Sequence, residues 1–451
     1  MTRALVFEYI WTPGGLLNHC RLQLDGNGCI TGVEPDVRAP AELIRGLLLP
    51  PFFNAHSHAF QYAMAGETEG SGSDNFWSWR DAMYRRALAT NPDEFEIIAG
   101  CVYSEMLRFG ITAVAEFHYM HKDPGGQPYA NPGEMSIRLL RAATRVGMGI
   151  TLIPVYYHRG DFDQEAGPQQ RRFLFRDRDE YLRLVTDLQA LQQQEYPGQL
   201  IGHGIHSLRA AGPDDARELL DPRHSQGPVH LHIAEQEGEV EACRKALGRR
   251  PVRWLLDEVG PGPRHFPVHA THMDPGEVRD LALSGATVVL CPSTEGNLGD
   301  GFFDLAGWLA AGGRFAIGTD SHAGLFMPGE MRWLDYGQRL LHRRRNILPA
   351  GAGTAADQLL DHTLTGGCLA LGRPLPAPAT PGCPLDGLLV DPDHPLMGSR
   401  HGAHRTAAFV YSGTPDMIRG RYAAGRWIPA DDPHNDHAKK YRQAFLRLRP
   451  A

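Results

Sequence analysis

The sequence predicts an α/β fold, a (β/α)8 barrel with a small β-sandwich domain built from both chain ends. Three observations predict it. Eight short apolar runs alternate with longer amphipathic stretches through the middle of the chain, the mark of a parallel sheet built from βα units. The segments before and after this region break into short strand patterns separated by Gly, Asn and Pro turn signals. A length of 451 residues suits a large barrel with an appended second layer.

Taken in order, ALVFEYIW, CRLQLDG and CITGVEP read as short strands within residues 1 to about 48. The eight barrel strands are expected at Leu47–Phe53, Thr112–Phe117, Gly149–Tyr156, Leu200–His206, Pro228–Ala234, Phe266–His269, Thr287–Cys291 and Arg314–Thr319. Between them lie helical segments such as Pro92–Phe109, Glu134–Val146, Arg178–Gln194 and Val252–Val259. After about residue 374 strands are expected at Leu385–Val390, Thr406–Tyr411, Met417–Arg421 and Tyr422–Trp427, then a helix over His437–Leu448. The barrel domain is therefore assigned to 49–374 and the sandwich to 1–48 with 375–451. A polar, Arg-rich connection, Gly160 to Asp179, follows strand three and reads as either a lid or a plain surface loop.

Composition excludes several classes. Hydrophobic residues are 42% and charged residues 22%, an ordinary globular balance. With a net charge of −7 and no basic block, nucleic-acid binding has no electrostatic footprint. No apolar run approaches the ~20 residues of a membrane span. The opening stretch MTRALVFEYIW lacks the long apolar region of a signal peptide. Seven cysteines without CxxC pairs read as reduced thiols of the cytoplasm.

The first barrel run ends in His56-Ser57-His58. Side chains two apart on an extended segment share one face, so both imidazoles point the same way, a geometry that holds a metal. Among 22 histidines one such pair is weak evidence alone. Further polar residues stand at other strand ends: Glu116 to Tyr119, then His203, His206 and Arg209, then His230, His232 and Glu235, then His269 and His272, and last Asp320 to His322. Each has a plainer reading. A strand-end His is more often a hydrogen-bonded structural residue, an Asp after a strand more often an N-cap, and Glu235 suits a helix N-terminus. Those readings predict no order around a barrel. The observed order (HxH, His, His, Asp, each at a different strand end) is what metal-dependent hydrolysis at the mouth of a barrel needs.

HSH at 56–58, HIAE at 232–235, HATH at 269–272 and GTDSH at 318–322 resemble the deaminase branch of the amidohydrolase superfamily. NAHSHAFQYAMAG (54–66), FWSWR (76–80), AEFHYMH (115–121), GIHSLRA (204–210), HLHIAEQ (230–236), CPSTEGNLGDG (291–301) and RWLDYGQRL (332–340) sharpen this to a resemblance to the formimidoylglutamate deiminases. It covers the chain from the first barrel strand to about residue 372. It implies one zinc per subunit held by His56, His58, His232 and Asp320, with iron(II) or manganese(II) as alternatives. None of the four lysines (Lys122, Lys245, Lys439, Lys440) lies on an expected barrel strand, which agrees with one metal rather than a pair bridged by a carboxylated lysine.

The implied reaction converts N-formimino-L-glutamate to N-formyl-L-glutamate and ammonia, in histidine degradation. A zinc-activated water attacks the formimino carbon. Asp320 takes the water's proton, Glu235 moves a proton to the leaving nitrogen, and His269 orients the nucleophile or stabilises the tetrahedral intermediate. A dicarboxylate amidine also asks for donors. Arg209 and His206 lie past strand four, Tyr119 past strand two, Gln61 past the His pair, and Arg80 in FWSWR. Arginine's planar fork matches carboxylates. Arg80 can serve its own site or that of the second subunit of an expected homodimer. Trp77 and Trp79 read as packing or interface residues. The alternatives are a deaminase of purine, pyrimidine or related rings, whose pocket would want stacking surfaces and few cations, and a metal-binding barrel without turnover.

Overall fold

The computed structural model describes residues 2–38, 42–70, 76–322, 324–348, 353–375, 377–398 and 402–448. Eight parallel barrel strands run in sequence order: Phe52–Ser57, Ile111–His118, Gly149–Tyr156, the pair Leu200–Ile201 and His203–Ile205 interrupted at Gly202, Val229–Ile233, His265–His269, Thr287–Leu290 and Arg314–Ile317. Strand eight returns to strand one through the parallel bridge between Ser57 and Asp320. The backbone N–H groups of Thr319 and Asp320 both donate to the His56 carbonyl, each at 3.0 Å. The Asn54 side chain locks the same seam, donating to Thr319 Oγ1 at 2.7 Å and accepting from Thr319 N–H at 3.0 Å.

The surrounding helices start where local chemistry starts them. Pro92–Arg108, Pro275–Leu283 and Ala355–Leu371 each open on a capping box, from Asn91 and Glu94, Asp274 and Glu277, and Thr354 and Asp357, which satisfies N–H groups left without helical partners. The last of these helices closes the floor of the barrel. Inward-facing Thr151 donates to the Leu371 carbonyl at 2.7 Å, and the His230 ring meets the Ala370 carbonyl at 2.9 Å. His230 is thus a floor residue and not part of the mouth.

The chain ends build a separate sheet beneath the barrel. Its order is Arg426–Pro429, Ile418–Ala423, Gly387–Val390, Ile44–Leu49, Arg3–Thr12, Gly15–Leu24, Ile30–Glu34. Neighbours are antiparallel except Arg3–Thr12 with Ile44–Leu49. The edge strand Ile30–Glu34 begins beside the segment that leads into Gly387–Val390, at a bridge between Cys29 and Pro384, over a core that includes Phe7, Leu22, Ile30, Leu48 and Tyr422.

Three local expectations need correction. The run Leu47–Phe53 is not one strand. Leu47–Leu49 pairs in the terminal sheet, Pro50 and Pro51 interrupt it, and the barrel strand begins at Phe52. Two prolines without N–H groups cannot continue a ladder. The segment Thr406–Tyr411 lies inside a helix, Ala403–Ser412. Its β-favouring Thr, Phe, Val and Tyr are overridden by packing, because Phe409 and Val410 are buried in the main core. The strands expected at Met417–Arg421 and Tyr422–Trp427 are one hairpin turning at Ala424 and Gly425, where positive φ values of 46° and 75° mark the turn.

The floor helix reaches the barrel only because Gly366 and Gly367 lack side chains. A Cβ on Gly366 would stand 1.9 Å from the Phe315 carbonyl oxygen. Gly366→Ala is expected to lower unfolding stability by about 1–3 kcal/mol, the usual cost of overpacking, read as a lower urea midpoint. An unchanged midpoint would show that the helix shifts freely against strand eight.

Candidate active site

Four polar side chains meet where strands one, five and eight end. His56 and His58 share a face, as their spacing requires. Their Nε2 atoms lie 3.2 Å apart, and His232 Nε2 lies 3.0 Å from His56 Nε2. Asp320 Oδ1 is 3.2 Å from His58 Nε2 and 3.7 Å from His56 Nε2. His58 Nδ1 is 2.8 Å from the Phe117 carbonyl. A carbonyl can only accept, so Nδ1 carries the proton and Nε2 offers its lone pair.

These residues fit a metal ion. Burial, opposed by Asp320, holds His56 well below the usual imidazole value, and burial with neighbouring imidazoles does the same for His232. Both rings are therefore neutral, as ligands must be. Neutral imidazole nitrogens packed this closely, with lone pairs converging, are satisfied together by a cation. Tetrahedral ligands at zinc–nitrogen distance would stand about 3.3 Å apart. Burial alone would raise Asp320, but the surrounding imidazoles of His58, His56 and His269 hold its carboxyl below the usual range.

A second group borders the first. His269 Nε2 lies 3.7 Å from both Glu235 Oε1 and Asp320 Oδ2, and its Nδ1 lies 3.3 Å from Glu295 Oε1. Burial opposes protonation of His269, yet Glu235, Glu295 and Asp320 together push it up to about 10. Burial raises Glu235, with Asp320 and Glu239 adding and His269 opposing. The Glu239 carboxylate accepts from the backbone N–H groups of Ala234 and Glu235 at 3.2 and 3.0 Å, which fixes the loop that carries Glu235. Ala234, His269, Ala270, Asp320 and His322 all have positive φ. Such strain in residues other than glycine collects where surrounding structure enforces it, commonly at functional sites.

Beside these groups lies a cavity at the barrel mouth. Gln61, Arg80, Tyr119, His206 and Arg209 all line it, together with His58, His232, Glu235, His269 and Asp320, while His56 is sealed beneath. Gln61 Nε2 donates to Tyr119 Oη at 3.0 Å and leaves its Oε1 without a partner. Arg209 is buried with Nη1 unpartnered, and Arg80 leaves Nε unpartnered while its guanidinium sits 4.4 Å over the Trp77 ring. Unpaired buried cationic donors are costly, and an anion would offset that cost.

Other strand-end histidines take the plainer reading. His203 meets Ser225 Oγ at 2.7 Å and the Asp221 carbonyl at 3.0 Å, and His272 meets the Asp300 carbonyl at 2.8 Å. Several residues at the site had no assigned role in the sequence reading. Glu116 binds Ser57 Oγ and Ala59 N–H, each at 2.6 Å, and holds the exit of strand one. Glu295 orients His269, and buried Asp300 accepts from Gln236 Nε2. Both acids stand in CPSTEGNLGDG, so the motif itself was the signal. Trp79, read from the sequence as a packing or interface residue, also lines the cavity, as do Tyr84, Tyr157 and Phe173, and nothing in the local sequence of those three marks them for it.

Comparison with known proteins agrees with this geometry. Residues 47–427 match the model of the amidohydrolase family. The chain is 42% identical over 450 residues to formimidoylglutamate deiminase of Pseudomonas aeruginosa, covering 99% of this chain and 98% of that protein. It is 26% identical to 8-oxoguanine deaminase of the same species over 68% of this chain and 67% of that one. An amidohydrolase crystal structure from Brucella melitensis superposes with a TM-score of 0.90 at 37% identity, covering 98% and 99% of the two chains. A zinc-bound adenosine deaminase structure from Xanthomonas campestris shares the fold, with a TM-score of 0.79 at 21% identity over 99% and 98% of the chains. With a family match that spans most of its length and candidate ligands at its strand ends, the chain belongs to the amidohydrolase family.

Proposed function

We propose that this hydrolase cleaves a C–N bond of N-formimino-L-glutamate, giving N-formyl-L-glutamate and ammonia, as a step of histidine degradation in the cytoplasm. The observation that carries the substrate is the pairing of unsatisfied Arg80 and Arg209 donors with an acid-rich centre in one cavity. A substrate with a cationic amidine at one end and two carboxylates at the other matches that polarity. The 42% identity to a formimidoylglutamate deiminase supports the same choice. Unpaired cysteines throughout the described residues suit a reducing compartment, and no described helix is long and apolar enough to cross a membrane. The working unit in this reading is a homodimer with residues 49–374 as the hydrolytic domain.

In this reading His56, His58, His232 and Asp320 hold one zinc per subunit. A divalent ion there supplies the Lewis acidity that makes water nucleophilic near neutral pH. Asp320, kept ionised by its imidazole neighbours, accepts the proton of the attacking water. Glu235 sits 3.7 Å from His269 Nε2 and transfers a proton to the terminal nitrogen, which leaves as ammonia. His269, charged through its three carboxylate neighbours, stabilises the oxygen as negative charge develops on it. Arg209, Arg80, Gln61, Tyr119 and His206 hold the glutamate portion.

The direct test compares ammonia release from N-formimino-L-glutamate with release from guanine, cytosine and adenosine. Turnover confined to the formimino substrate is expected; turnover of a ring alone would replace the assignment. Chelation is expected to abolish ammonia release and added zinc to restore it. Glu235→Gln is expected to retain metal and lose about 10²–10⁴-fold in kcat, the range for a lost general acid. Normal turnover in that variant would remove Glu235 from the mechanism. Arg209→Met is expected to raise KM about tenfold or more, by loss of hydrogen bonds to a charged group, with metal content unchanged. Loss of metal would show instead that Arg209 is structural.

A further inference from the structure

The connection Gly160 to Asp179 is neither a plain surface loop nor a detached lid. Arg172 is fully buried within it and binds the Lys122, Ala87 and Thr90 carbonyls. This ties the connection to the helix Phe76–Ala89 that carries Arg80. Next to it Gln170, 4% exposed, reaches the cavity wall.

The hydrogen bonds of Gln170 fix proton positions. Its Oε1 accepts from Gly167 N–H at 2.8 Å. Only the amide oxygen can accept there, so the amide has one orientation. Its Nε2 then donates to Tyr84 Oη at 3.1 Å and Tyr157 Oη at 2.7 Å. Both phenols are acceptors in these bonds and still hold their own protons. Burial keeps Tyr157 protonated. Should one hydroxyl donate to the other, one proton is left over. Both tyrosines line the cavity beside Arg209, whose own Nη1 is unpartnered.

We propose that Tyr84, Tyr157 and Arg209 form a carboxylate subsite, and that Gln170 is the positioning residue that turns the phenolic protons toward the ligand. The identity of the substrate rests on the function proposed above; the subsite itself asks only for a carboxylate. A purely structural role for Gln170 would hold the two rings in place without affecting the direction of their protons.

The test is calorimetric titration of glutarate into the zinc-loaded protein. Gln170→Glu reverses the polarity, because a carboxylate accepts both phenolic protons. It is expected to weaken glutarate binding about tenfold or more, and to raise KM for N-formimino-L-glutamate similarly while kcat falls less than threefold. Gln170→Leu is expected to add nothing in a Tyr84→Phe/Tyr157→Phe background, since the residues act as one unit. Unchanged glutarate affinity in a Gln170→Glu protein of native Tm would overturn the subsite, as would a wild type that does not bind glutarate. Where Gln170→Glu does not fold, Tyr157→Phe decides: weaker binding supports the subsite and unchanged binding overturns it. A wild type that binds glutarate but does not turn over the formimino substrate refutes the proposed reaction and leaves the subsite standing.

Discussion

The closure of strand eight onto strand one is the constraint on which the mouth of the barrel depends. The His56 carbonyl receives two backbone N–H groups from Thr319 and Asp320, and Asn54 fastens the same seam from within. Because the backbone of a metal-ligand candidate is itself the closing bond, the Asp320 carboxylate is delivered against the His pair. Two residues of spacing put His56 and His58 on one face, and strand five brings His232 to complete the group. A barrel that failed to close would separate His56 and His58 from Asp320.

Around that group the protein divides its titratable side chains by environment. The imidazoles of His56 and His232 are buried beside other imidazoles and stay neutral. The imidazole of His269 is equally buried, but among carboxylates, and is charged. One residue type thus serves two chemistries through its neighbours alone. Glu239, Glu295 and Glu116 act one layer out, each spending its carboxylate on fixing a loop, a ring or a strand end. The far wall works by the opposite logic, with arginine donors left unsatisfied.

Much of this was legible in the sequence because its signals are local. Short apolar runs and the amphipathic segments between them gave the barrel and the order of its strands. Polar residues at the ends of those runs gave the candidates that the fold brings to one cavity. What was not legible depends on distant contacts. The split of Leu47–Phe53 turns on Pro50 and Pro51 standing between two sheets, where the apolar pattern is continuous. Thr406–Tyr411 has strand-like residues and becomes helical because Phe409 and Val410 pack into the core. Gln170 sits in a polar stretch that resembles a surface loop. Its partners, Tyr84 and Tyr157, come from a helix 86 residues away in sequence and from the end of strand three.

Carbon NMR of the product formed from N-formimino-L-glutamate labelled at the formimino carbon, using protein with confirmed metal content, decides which bond breaks. The label is expected in N-formyl-L-glutamate, with one ammonia released per formyl group. Label recovered as formamide beside free glutamate would mean that the other C–N bond breaks, and would contradict the placement of Glu235 at the terminal nitrogen.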